Sequence, residues 1–145
     1  MNSMSPEQMQ SWLMGAGLMV ILAVSAVYLV VLIFYLLTLQ KTLKRCSPES
    51  CAMQPGLVWL MVIPCFNLIW HFFVVINMAK SLSAEFKKRG IAVEDKPGQT
   101  IGLIMCVCPV VAIIPFVGCV AGPAGLVCWI MYWVKIADFS KKLAA

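Results

Sequence analysis

Any chemistry in this chain has to come from a short inventory of side chains. There are seven cysteines (Cys46, Cys51, Cys65, Cys106, Cys108, Cys119 and Cys128) and a single histidine, His71. All but Cys46 and Cys51 lie in apolar runs, where a thiol behaves as a small hydrophobe. Cys106-Val-Cys108 offers two soft ligands, and the ten methionines could add thioethers for Cu(I). A C-x-C pair on a helix, however, points its sulfurs about 200° apart. The C-x-x-C spacing of thiol redox enzymes is missing. Packing is therefore the expected role of these thiols, and no metal is assigned. A haem held by two histidines would need a dimer, so a hydrogen bond to a neighbouring helix is the simpler use of His71. All six acids lie in loops or at the ends of runs, whereas ion-coupled pumps usually carry an intramembrane carboxylate. No nucleophile–base–acid set and no phosphate loop is present. These residues predict no enzyme and no cofactor.

What remains is a polar pair inside an apolar run. Gly56 to Ala79 reads GLVWLMVIPCFNLIWHFFVVINMA, with Pro64 and Asn67 in the middle and His71 one turn later. At 100° per residue, Asn67, His71, Val74 and Met78 share one stripe. A polar group at bilayer depth must find a partner there, so the stripe is expected to face protein. Pro64 removes a backbone donor and crowds the carbonyl four residues back, so the helix should break at Pro64–Asn67, with Asn67 capping its second half.

The elements around this pair read as membrane helices. The chain is 62% hydrophobic and 12% charged, with a mean hydropathy of +0.93. A soluble domain is about half apolar and about a quarter charged. The expectation is an all-α integral membrane protein forming a single membrane domain over 1–145. Its four apolar helical segments cover about 12–39, 57–79, 101–117 and 119–137. The net charge of +5 comes from basic residues at the ends of these runs. None is interleaved with base-stacking aromatics, so lipid is the expected partner and nucleic acid is not.

Local signals punctuate the runs. Ser5, Pro6 and Gln8 form a helix start, and the absence of a basic n-region predicts no cleaved signal. Lys41, Lys44 and Arg45 follow the first run, and Cys46 and Cys51 in the next loop are expected to stay reduced. Residues 80–99 should be a polar helix and loop. There Met78, Leu82 and Phe86 would lie against headgroups, and Gly90 would stop the helix. Thr100 is a candidate cap for the third run, which contains Pro109 and Pro115. Gly118, Gly122 and Gly125 have small-residue spacing that allows helices to pack closely. Trp129, Tyr132 and Trp133 resemble an interfacial belt.

Basic residues also weigh on topology. If all four runs cross, 8 basic residues lie on one side and Lys41, Lys44 and Arg45 on the other. If the second run turns back at Pro64–Asn67, all 11 share one side and the N-terminus lies opposite. The positive-inside rule favours the re-entrant form, with 80–99 and the C-terminus cytoplasmic.

The signature Pro55-Gly56, Trp59, Ile63-Pro64 and Asn67-Leu68 resembles a family of small bacterial multi-pass membrane proteins known only as a domain of unknown function. That family's pattern is Pro-Gly-Trp, a Trp-rich run, then Pro-x-x-Asn-Leu. The match covers about 30 of the 145 residues. It departs in the place of the first Trp, in the spacing between the prolines and in lacking the family's later Pro. The resemblance implies the bacterial inner membrane and brings no activity. The expected function is a structural, assembly or interaction component of the membrane, acting as a homo-oligomer or with another membrane protein. One alternative is a subunit of an oligomeric channel or transporter with Asn67 and His71 facing the path. Another is a membrane metal or thiol-redox protein.

Overall fold

The computed structural model describes residues 5–114 and 116–145, so the reading of Pro115 lies outside the described residues. Of the described residues, 79% are helical. Its elements are α1 (Pro6–Arg45), a 3₁₀ helix (Pro55–Val62), α2 (Pro64–Lys88), α3 (Gln99–Val111) and α4 (Gly118–Lys142). Among the described residues, three helices are long and apolar enough to cross a membrane: Pro6–Arg45, Cys65–Lys88 and Gly118–Lys142. Contacts divide the chain into two compact units, Met1–Tyr35 and Leu36–Ala145.

The four expected segments become five helices among the described residues, because the second run splits in two. The break falls earlier than Pro64–Asn67. A residue before proline is pushed out of the helical region, and Ile63 is extended with ψ 111°. Pro64 then takes the first position of α2, where its missing N–H costs nothing. Asn67 is not the cap. It sits in the first turn of α2, its own N–H donating to Ile63 O at 2.8 Å.

In the first unit, α1 starts on a reciprocal capping box. Gln8 N–H donates to Ser5 Oγ at 3.3 Å, and Ser5 N–H donates to Gln8 Oε1 at 3.2 Å. From there to Val30 every residue is exposed on all faces of the helix, apolar ones included. Trp12, for example, is 71% exposed.

In the second unit, α3 packs against α4 and α2, and α2 packs against the 3₁₀ helix. Gly90 stops α2 in a Schellman motif. Its φ is 68°, Ile91 N–H reaches Phe86 O at 2.9 Å, and Gly90 N–H reaches Lys87 O at 3.2 Å. Met78, Leu82 and Phe86 do not face headgroups. All three are buried, and Phe86 meets Phe139 of α4 edge-on at 5.6 Å. Gly98, with φ 72° and no side-chain hydrogen bond, occupies the cap position of α3 in place of Thr100. Tyr132 is buried over Gly98 and Gly102 rather than sitting in a lipid-facing belt.

Candidate functional site

Three helices end at the same place, and their ends are joined by side chains that the sequence reading treated as membrane-surface charge. The geometry follows from paired contacts. Trp133 Nε1 donates to Thr38 Oγ1 at 3.0 Å, and Arg45 Nη1 donates to Ser140 Oγ at 2.8 Å and to Ser140 O at 2.5 Å. Seven residues, or about two turns, separate the two contacts on each helix, so the last turns of α1 run parallel to α4. Arg89, one residue beyond α2, then reaches both partners. It donates through Nη2 to Arg45 O at 3.2 Å and through Nη1 to Leu143 O at 2.8 Å.

The physical reason for this clasp lies in helix ends. The last carbonyls of a helix have no partner within it and carry partial negative charge. Converging three such ends would be unfavourable unless cations and donors fill the gap. Lys44 and Arg45, Lys87 and Lys88, and Lys141 and Lys142 occupy the three last turns, and the two arginines donate directly to the carbonyls.

Glu85 holds the clasp from inside. It is only 2% exposed. Its Oε1 accepts from Arg89 Nε at 2.7 Å, and its Oε2 accepts from Ser47 N at 2.9 Å and Ser47 Oγ at 2.6 Å. The sequence predicts no buried acid. Glu85 becomes one because α1, α2 and the Cys46–Cys51 loop close around it. The only hint in the sequence was its i, i+4 spacing to Arg89, which a solvent-exposed pair shares.

The connection from α1 to α2 doubles back. Ala52 N–H donates to Ser81 Oγ at 2.8 Å, and Trp70 Nε1 donates to Leu57 O at 2.9 Å. Ser47, Ala52 and Leu57 thus lie beside Glu85, Ser81 and Trp70 in turn, and the direction reverses at Ile63. A straight run from Leu57 to Trp70 would hold these residues about 20 Å apart. Residues 46–89 therefore form a hairpin that starts and ends at the clasp.

Both cysteines of the loop are free thiols. Cys46 Sγ lies 3.6 Å from Thr42 O, and Cys51 Sγ lies 3.1 Å from Leu43 O. Burial, then the neighbouring Cys51 and the Glu85 carboxylate, pushes the Cys46 thiol up to about 12, which makes it a poor nucleophile and ligand. Cys51 is raised for the same first reason. Among the described residues, no three His, Cys, Asp or Glu side chains gather into a metal site.

The polar stripe lies on the half-buried face of α2. Val74 and Met78 are fully buried, and Asn67 and His71 are half-buried about two turns and one turn earlier. Asn67 Oδ1 is buried and accepts no hydrogen bond among the described residues. The structure does not bring the small residues together as one seam. A Cβ on Gly118 would come 2.6 Å from Ala112 O, and one on Gly125 would come 2.9 Å from Cys108 Cβ. One on Gly122 would meet nothing within 4 Å. The tightest approach is at Gly102, which sequence reasoning missed. A Cβ there would fall 2.5 Å from Val75 Cγ1 and 2.9 Å from Tyr132 Cε2.

Helices α3 and α4 form a second hairpin, Gly102 facing Tyr132 and Gly125 facing Cys108, and its tip is apolar. Ile113, Ile114 and Val120 are exposed, and Phe116 is 93% exposed with φ 71°, a conformation that bulky residues rarely adopt. No protein-family model, curated protein or solved structure matches the chain.

Proposed function

We propose that this chain is an integral membrane protein with a structural or assembly role, and that it crosses the bilayer once, through α1. The observation that carries this reading is the separation of surfaces. Exposed apolar side chains cover α1 from Trp12 to Val30 and the hairpin tips, while the hydrogen-bonded charge is collected at the clasp. Helix lengths support hairpins that dip without emerging. The 13 residues of α3 rise about 20 Å, and the apolar part of α2 from Pro64 to Ala79 rises about 24 Å. Both fall short of a hydrocarbon core about 30 Å thick, although Cys65–Lys88 and Gly118–Lys142 taken whole are long enough to cross. With both hairpins opening at the clasp, all 11 Lys and Arg share one face, which the positive-inside rule puts in the cytoplasm of a bacterial cell. The reading assigns no catalytic step and no cofactor.

The assembly role rests on α1. Its residues 12–30 are exposed all round, and their occupants are lipid and a second membrane-embedded surface, either another copy or another membrane protein. Two measurements test this. The protein should stay in membranes washed with alkaline carbonate, and release would overturn the membrane reading. A photo-crosslinking residue at Val20 or Val27 in native membranes should capture a protein chain. Capture of lipid alone at both positions would overturn the assembly role.

A further inference from the structure

Beside the clasp, α2, the loop before α3 and the first residue of α3 enclose a cleft of about 480 Å³ whose lining includes Lys80, Ser83, Lys87, Asp95, Lys96 and Gln99. Lys80, Ser83, Ala84 and Lys87 are spaced i, i+3, i+4 and i+7, so they form one stripe of α2. The small Ser83 and Ala84 lie between the two lysines along this stripe. Asp95, Lys96 and Gln99 complete the lining.

We propose that this cleft binds the phosphate of an anionic phospholipid headgroup. Charge is the first reason. Elsewhere at this end Lys88 pairs with Glu49, Arg89 with Glu85, Lys135 with Glu94 and Lys142 with Asp138. Lys80, Lys87 and Lys96 have no acidic partner within ion-pair distance among the described residues. Three ammonium groups against one carboxylate leave the cleft an excess of two positive charges, suited to a phosphodiester. Chemistry is the second reason, because Ser83 and Gln99 add neutral donors for phosphate oxygens. Height is the third. Lys80 directly follows Ala79, where the apolar part of α2 ends, so the cleft sits at the level where headgroups meet acyl chains.

The inference rests on the membrane reading, and the experiment separates the two. Full-length protein in a neutral detergent is titrated with dihexanoyl phosphatidylglycerol, dihexanoyl phosphatidylcholine and inorganic phosphate. The wild type should bind the anionic lipid more tightly than the zwitterionic one. Lys80→Gln, Lys87→Gln and Lys96→Gln together should weaken that binding at least about tenfold. A control losing the same charge, Lys41→Gln, Lys44→Gln and Lys141→Gln, should bind as the wild type does. Ala84→Trp, which fills the cleft and keeps its charge, should weaken binding as well. Equal loss in both triple variants, or equal binding of the zwitterionic lipid, would overturn the proposal. Inorganic phosphate binding as tightly as the lipid would assign the cleft to free phosphate instead. Wild type that resists the carbonate wash but shows no lipid preference sinks this inference alone. Wild type released by the wash sinks the membrane reading and this one with it.

Discussion

Glu85 accepts three hydrogen bonds and is almost fully enclosed, so its loss strands several groups together. Glu85→Ala would leave the Ser47 N–H without its acceptor and release the Arg89 guanidinium from the geometry that reaches Arg45 O and Leu143 O. Unsatisfied donors of this kind cost about 1–3 kcal/mol each, and breaking a buried ion pair costs about 3–5 kcal/mol. Arg89 keeps 37% of its side chain exposed, so water screens part of the loss. We expect Glu85→Ala to lower stability in detergent by about 2–4 kcal/mol, measured as the midpoint of thermal or denaturant unfolding. Lys88→Ala removes an exposed pair with Glu49 and an exposed hydrogen bond to Ser47 Oγ at 3.2 Å, and should change stability far less than Glu85→Ala does. Equal effects of the two substitutions would show that the clasp does not hold the helix ends.

Which elements form could be read from local sequence, and which surfaces meet could not. The Ser5 cap, the Gly90 stop and the break beside Pro64 each depend on a few neighbouring residues, and each was legible. The 3₁₀ geometry of Pro55–Val62 was not, because its apolar residues carry no period that separates it from an α-helix. Gly102 was missed for a related reason. It stands alone in an apolar run, and only the approach of Val75 and Tyr132 gives it a role. Gly122 had the spacing of a packing residue but has open space around it. This contrast can be tested at the level of helix packing. Gly102→Ala should destabilise the detergent-solubilised protein by about 1–3 kcal/mol through overpacking. Gly122→Ala should leave it unchanged or slightly firmer, since alanine favours the helix. Loss of stability at Gly122→Ala would mean that a second surface covers that position, and size measurement of the same samples would then show dissociation.

For the whole molecule, the decisive relation is that Arg45, Arg89 and Leu143 meet although 44 and 54 residues of chain separate the bonded pairs. Charge counting alone could only lean toward this arrangement, since 23 apolar residues are also enough to cross a bilayer. The hydrogen bonds from Ala52 to Ser81 and from Trp70 to Leu57 add what composition lacks, namely that the second run returns along itself. The account therefore requires the Cys46–Cys51 loop and the loop between α2 and α3 to share one side of the membrane. A cysteine-free full-length protein carrying Pro48→Cys or Ala92→Cys, both exposed positions, measures this directly with a membrane-impermeant maleimide on intact cells. Both cysteines should be protected until the membrane is permeabilised and should then label equally, while Gln10→Cys labels from outside. Labelling of Pro48→Cys from outside with Ala92→Cys protected would mean that the second run crosses, and would contradict the account.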